Sequence, residues 1–340
     1  VKIFRPLFVT GLFLAGALPP SSVRAGAAPA PPNKLVLAPS LVTYRGWTNA
    51  VLLRNRFAEV IIVPTVGRVM QFRFIGDEEG PFWENAEFYG KAPDAKTNVW
   101  GNFGGDKTWP APQSDWPKVT PRSWPPPPAF DSMAVNFELT DRSVMLISPV
   151  DPYFGIRTRR VVEMDSRQAA MIITTTYEKV EGEPRKVAIW TITQLKDPLA
   201  VFAPVPVSSR FTNGWSQAAK ETPPSVKVAA GLLSLARDPK KAYKIGNDAG
   251  TLLWVGEKWV VRIDSPRVPG AEYTHGGNSA EIYTNPDAAP YVELELLGPV
   301  SLMKVGDTLT RSNTYTLRRR TEATPEAEAR KWLHPLNAGK

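Results

Sequence analysis

The sequence predicts an all-β sandwich, and three observations carry that expectation. Short runs rich in Val, Ile, Thr and aromatic residues follow one another from Lys34 to Arg318, with turn residues between them. In the middle of the chain they recur at intervals of roughly 10 to 14 residues, the rhythm of a sandwich. Proline makes up 34 of the 340 residues, about twice the usual share of roughly 5%. That content opposes a helical protein, because proline lacks the backbone N–H that helices use.

Residues 1–25 stand apart from this pattern. Lys2 and Arg5 precede an apolar run from Leu7 to Leu18, and Val23-Arg24-Ala25 offers small residues for a signal peptidase. The run is shorter than the roughly 20 apolar residues of a membrane span. A signal cut after Ala25, and hence a periplasmic or secreted protein, is expected; an uncleaved anchor is the alternative. Residues 26–33 form an Ala/Pro spacer. No fixed repeat or Gly/Ser linker divides residues 34–322, which are expected to form one domain, with a helix and tail over 323–340.

The strands follow in order. Leu35-Val36-Leu37 starts the first. Ala50–Leu53, Ala58–Val63 and Arg68–Ile75 then read as an antiparallel meander, separated by Asn55-Arg56 and Pro64-Thr65-Val66-Gly67. In the last run Arg68, Met70, Phe72 and Phe74 are expected on one face. Strands resume at Ala134–Leu139, Val144–Ile147, Gly155–Val162, Ala169–Tyr177 and Lys186–Leu195. Val201–Val207, with two prolines, is expected at most at an edge. Val226–Arg237, interrupted by Gly231, reads as strand in preference to helix. Thr251–Val255, Trp259–Ile263, Ala280–Tyr283, Tyr291–Leu297 and Asn313–Arg318 complete the sheets. Thr324-Pro325-Glu326 supplies an N-cap, a proline at the first helical position and an acid in the first turn, predicting a helix to about Leu333.

Residues 81–130 break the rhythm. They hold Trp83, Trp100, Trp109, Trp116 and Trp124 of the chain's 11 tryptophans, and end in Pro125 to Pro128. At its heart, residues 100–117 mix tryptophan, glycine, proline, Asn102, Asp106, Lys107 and Gln113. That mixture reads as an ordered loop offering aromatic faces beside hydrogen-bonding groups, a surface suited to a carbohydrate ligand.

Composition narrows the chemistry. The formal charge of +8 falls to +5 without residues 1–25, and the basic residues are scattered instead of striped, which opposes nucleic-acid binding. With no cysteine, thiolate chemistry, cysteine metal sites and disulfides are excluded. Imidazole chemistry is confined to His275 and His334. No nucleophile elbow, Walker loop or zinc-protease motif occurs, and Asp141, Asp151 and Asp165 lack calcium-loop spacing. No cofactor or metal is expected.

Several stretches, taken in order, carry a resemblance. They are Trp47–Leu53, Val63–Val69, Phe82-Trp83-Glu84-Asn85, the specific segment Asn102–Gln113, Ser148-Pro149-Val150, Ala188–Gln194, Tyr291–Pro299 and Gly306-Asp307-Thr308. Over roughly residues 44–318 the chain resembles an uncharacterised domain family akin to the galactose mutarotase-like superfamily. The resemblance implies a β-supersandwich of two large antiparallel sheets with a concave face that accepts a sugar. It also implies a glutamate base near the C-terminus, matched by Glu293 or Glu295 on Tyr291–Leu297. The histidine acid of aldose epimerases would fall within Val187–Gln194, which carries Trp190 but no histidine. Carbohydrate binding is therefore expected ahead of epimerase or other carbohydrate-processing chemistry. An envelope or structural protein is a further alternative.

The candidate residues follow. Glu293 and Glu295, two apart in a strand, share a face and could divide acid and base roles; a solvated face is the alternative. His275, in Tyr273-Thr274-His275-Gly276-Gly277-Asn278, could replace the missing acid from another direction; a merely exposed loop histidine is the alternative. Asn102, Asp106 and Lys107 are candidates to hydrogen-bond hydroxyls, Asp106 and Lys107 alternatively pairing locally. Trp109 is the candidate for stacking on a sugar ring, with Trp83, Trp116 and Trp124 as packing. Arg68 either snorkels to an edge or reaches the groove. Trp190 and Gln194, on one strand face, and Lys244 complete the set.

Overall fold

The first apolar runs form a meander. β1 (Val36–Tyr44), β2 (Trp47–Asn55), β3 (Ala58–Val63) and β4 (Arg68–Phe74) pair antiparallel in sequence order. These come from a computed structural model, which describes residues 36–96, 99–218 and 221–333. The signal, the spacer and His334 lie outside the described residues. In β4 the expected alternation breaks. Gln71 pairs with Ile61 and Val69 with Ile62, so Met70 is the extra residue of a β-bulge. Phe72 therefore packs with Val69 between the sheets, while Met70 joins Trp47 and Phe103 on the opposite face.

β5 (Asp106–Ala111) follows. A second meander contains β6 (Asn136–Leu139), β7 (Ser143–Ile147), β8 (Ile156–Met164) and β9 (Ala170–Lys179). β10 (Arg185–Lys196) leads to β11 (Ala200–Pro204), β12 (Ser216–Gln217), β13 (Lys227–Ala229), β14 (Leu232–Leu235) and β15 (Tyr243–Asn247). Then come β16 (Thr251–Val255), β17 (Trp259–Asp264), β18 (Ala280–Thr284), β19 (Tyr291–Leu297), β20 (Ser301–Met303) and β21 (Thr308–Arg319). Among the described residues these make two antiparallel sheets. The eleven-stranded sheet runs β1-β2-β3-β4-β5-β10-β19-β18-β15-β12, with β20 on the start of β10; the ten-stranded sheet runs β13-β14-β11-β16-β17-β21-β9-β8-β7-β6. The β-supersandwich expectation holds.

β5 corrects the reading of residues 100–117 as loop. Its six residues are all buried, and it pairs with β10 from Thr193↔Asp106 to Ala188↔Ala111. Proline is tolerated because the sheet asks nothing of it. Gly298 N–H donates to Ile189 O at 2.7 Å, so residue 189 turns its backbone groups towards β19. Pro110, opposite Ile189, faces away from β10, and β4 accompanies β5 only at Val69↔Asp106. β11 is also corrected: it lies between β14 and β16, not at an edge, because its prolines fall at Pro204 and beyond. The β13–β14 hairpin turns at Ala230 and Gly231, both at positive φ (48° and 74°), a type I′ geometry.

The sheets meet on Val51, Phe72, Leu195, Ile245 and Leu294 from one side and Val162, Ile173, Trp254, Ile263 and Leu317 from the other. One polar knot spans the gap: Asp106 pairs with Arg160 and accepts from Thr193 Oγ1 (2.7 Å) and Tyr315 Oη (2.6 Å). The expected terminal helix spans Pro325–Leu333, with Thr324 Oγ1 accepting from Ala327 N–H at 3.2 Å. Ala329 and Leu333 pack it on Phe202, Leu253 and Val260. Among the described residues no helix is long and apolar enough to cross a membrane.

Candidate functional site

Residues opposite one another in an antiparallel sheet share a face. Register alone therefore assembles a patch on the side of the eleven-stranded sheet turned away from the core. One row is Lys107, Ile192, Glu295 and Glu281; the next is Gln194, Glu293, Tyr283 and Lys244. Segment 82–84 extends the sheet beside β10: Phe82 bridges Leu195, and Trp83 N–H donates to Gln194 O at 3.0 Å.

Half of the patch is organised on Lys244. Its Nζ lies 2.7 Å from Glu295 Oε2 and 2.9 Å from Glu281 Oε2. Trp190 Nε1–H donates to the same Glu295 oxygen at 2.7 Å. Glu281 Oε1 meets His275 Nδ1 at 2.9 Å and accepts from Asn278 Nδ2 at 3.0 Å. The two carboxylates respond differently. Burial pushes Glu295 up to about 8, the pull of Lys244 being offset by Glu281 and Glu293. Burial also acts to raise Glu281, but Lys244 and the His275 hydrogen bond overcome it and hold this carboxyl below its usual range. Lys244 is depressed by its own burial and raised more strongly by the two glutamates, so it stays an ammonium. His275 sits at φ 52°, followed by Gly276 (77°) and Gly277 (98°). This strained left-handed stretch lays the imidazole edge-on to Trp190, 5.4 Å between ring centres.

The other half centres on Glu293, whose Oε1 accepts from Gln194 Nε2 (2.9 Å) and pairs with Lys107 Nζ (3.3 Å). Lys107 is buried beneath the Trp100 and Trp109 rings (5.8 and 4.9 Å), and burial lowers its pKa. Gln194 and Asn102 both stand within hydrogen-bond reach of the Tyr291 hydroxyl, whose single proton can serve only one of the buried acceptors Gln194 Oε1 and Asn102 Oδ1, which have no other donor. Half-buried Trp83 lies 4.6 Å from the Tyr291 ring, and half-buried Tyr283 lies 6.3 Å from it on the other side.

Residues 48–318 match a family described as a domain of unknown function, DUF4380. The chain belongs to the DUF4380 family. No curated protein matches its sequence. Among solved structures, a galactose mutarotase-like protein from Lactobacillus casei ATCC 334 aligns at 9% identity and a TM-score of 0.52, over 79% of this chain and 100% of the other. The Slr1438 protein of Synechocystis sp. PCC 6803 aligns at 8% identity and 0.53, over 80% and 96%. YeaD from Salmonella typhimurium aligns at 8% and 0.51, over 80% and 90%. At these identities the likeness shows the fold, which this DUF4380 domain shares with galactose mutarotase-like proteins.

Within that domain the structure brings together Glu293, Glu295, His275, Lys107, Asn102, Trp190, Gln194 and Lys244. It leaves three expected residues out. Asp106, one position from Lys107 in β5, points the opposite way and is the polar knot between the sheets. Arg68 takes neither expected course: it is buried, donating to Gly104 O (2.8 Å) and pairing with Asp131 (2.7 Å). Trp109 shares the patch's face but is 4% exposed. Its Nε1–H is held by Asp131 at 2.9 Å, and Trp100, Trp116, Trp124 and Trp190 surround its ring within 6.2 Å. Glu281 and Asn278 were not among the expected site residues, and Trp83, expected as packing, is half-buried beside the patch. Glu281 was findable, since it alternates with Ala280 and Ile282 as Glu295 does with its neighbours; Trp83 needed the knowledge that segment 82–84 runs beside β10.

Proposed function

We propose that the outer face of the eleven-stranded sheet binds a carbohydrate, in a protein exported by its N-terminal signal. One observation carries this reading: the buried acceptors Gln194 Oε1 and Asn102 Oδ1, with one Tyr291 hydroxyl proton between them, stand amid paired charges and beside the half-buried rings of Trp83 and Tyr283. A buried acceptor without a donor is costly, and a sugar hydroxyl supplies that donor. The C–H face of the sugar suits Trp83, which takes the stacking role expected of Trp109. Calorimetric titration with neutral hexoses tests the reading. Wild type is expected to bind, with Gln194→Leu and Trp83→Ala weakened; undiminished binding by both variants would overturn it. For export, N-terminal sequencing of the mature protein should begin at Gly26, and an intact residue 1–25 segment would contradict the signal reading.

The burial that pushes Glu295 up to about 8 favours a second reading, ring opening at the anomeric carbon. Glu295 gives its proton to the ring oxygen as the C1–O5 bond breaks. His275, donating through Nδ1 to Glu281, takes the anomeric hydroxyl proton at Nε2, leaving a C1 carbonyl. Rotation about C1–C2 and the reverse transfers close the other anomer. This assigns Glu295 as acid, where the sequence suggested a base. Polarimetry of freshly dissolved hexoses tests it: wild type accelerates mutarotation, Glu295→Gln and His275→Ala do not, and a wild-type rate equal to buffer refutes the step.

A further inference from the structure

A cleft of about 160 Å³ opens beside the patch, lined by Phe88, Trp100, Phe103, Pro125 and Pro126, with Lys91 at its rim. Three features connect it to the site. Trp100 is a shared wall: its ring lines the cleft and also lies 5.8 Å from Lys107 Nζ, which pairs with Glu293. Trp100 is fixed in place, its Nε1–H donating to Asp131 Oδ2 at 2.7 Å while Asp131 is gripped by Arg68. The cleft's size also matches a ring: an apolar cavity of about 150 Å³ accommodates benzene, so one six-membered ring fits here with its substituents directed to the open side. Flat aromatic and proline surfaces beside charged groups of both signs, Lys91, Arg122, Asp94 and Asp131, suit the C–H face and hydroxyls of a pyranose.

We infer that the ligand is a chain of at least two sugar units, one over Glu293 and Glu295 and the next in the cleft beyond Trp100. The inference rests on the reading of the patch as a sugar site and extends it from a monosaccharide to an oligosaccharide. Linking two contacts in one ligand makes the second intramolecular, so affinity rises with length until both places are filled and then levels off.

Two substitutions outside the patch separate the two places. Ala92, exposed on the cleft lining, becomes a plug in Ala92→Trp; Lys91→Ala removes the rim cation without filling anything. Glucose, galactose and mannose, and the di-, tri- and tetrasaccharides of each, are titrated calorimetrically against wild type and both variants, with thermal melts to confirm folding. Wild type should bind at least one disaccharide about tenfold more tightly than its monosaccharide. Ala92→Trp should erase that gain and Lys91→Ala reduce it, both with monosaccharide affinity unchanged. Equal wild-type affinity for every length overturns the inference while leaving the patch as a monosaccharide site. A gain with length that survives both substitutions overturns it as well. Failure to bind any sugar of any length overturns both the inference and the reading beneath it.

Discussion

Two carboxyls share the Lys244 ammonium in unlike surroundings: Lys244 and the His275 hydrogen bond hold Glu281 below its usual range, and burial pushes Glu295 up to about 8. A carboxyl whose folded pKa lies above its unfolded value stabilises the fold below the unfolded pKa, and that contribution is lost as pH rises through the folded one. With Glu295 raised from 4.5 to about 8, the melting temperature of wild type should fall as pH rises from about 5 to about 8 and level off above that. Glu295→Gln, neutral throughout, should flatten that fall; an equal slope in the variant would place the titrating group elsewhere. Lys244→Met leaves Glu281 as a buried anion without its ammonium and should cost about 3–5 kcal/mol in urea unfolding. At this scale the sequence was legible where period two was enough. Glu293 and Glu295 had to share a face, and they do. It was not legible where a choice between adjacent residues depended on which side of the sheet met its partner, so Asp106 and Lys107 looked equivalent until β5 was placed.

The elements show why composition misled at residues 100–117. Tryptophan, glycine and proline argue against a strand only when the strand's hydrogen bonds and neighbours are assumed complete. β5 is paired along one side, its proline faces the unaccompanied side, and its tryptophan is enclosed by four others. Trp109→Ala should therefore act through stability, costing about 3–5 kcal/mol by the usual scale for emptying a buried aromatic site. Trp83→Ala should leave the melting temperature nearly unchanged and lower sugar affinity. The reverse pattern would restore Trp109 as the stacking residue. The β13–β14 turn offers an independent check, because Ala230 is held at φ 48°. Ala230→Gly relieves a left-handed alanine and should raise stability by about 0.5–1 kcal/mol, read by chemical denaturation.

Across the whole molecule, the sandwich was legible because each strand announces itself locally by alternation and turn residues. Strand order was not, since it joins segments remote in sequence: β5 pairs with β10, and β10 with β19. The patch is a product of that order, drawing Lys107, Gln194, Lys244, Glu281 and Glu293 from five strands, with His275 added by a strained loop. One titration addresses its purpose most directly: wild-type protein against a panel of hexoses, followed by calorimetry, beside Gln194→Leu. A carbohydrate site predicts saturable binding by wild type and its loss in a folded Gln194→Leu. Saturable binding that is unchanged in Gln194→Leu, or none by wild type to any sugar offered, would contradict it.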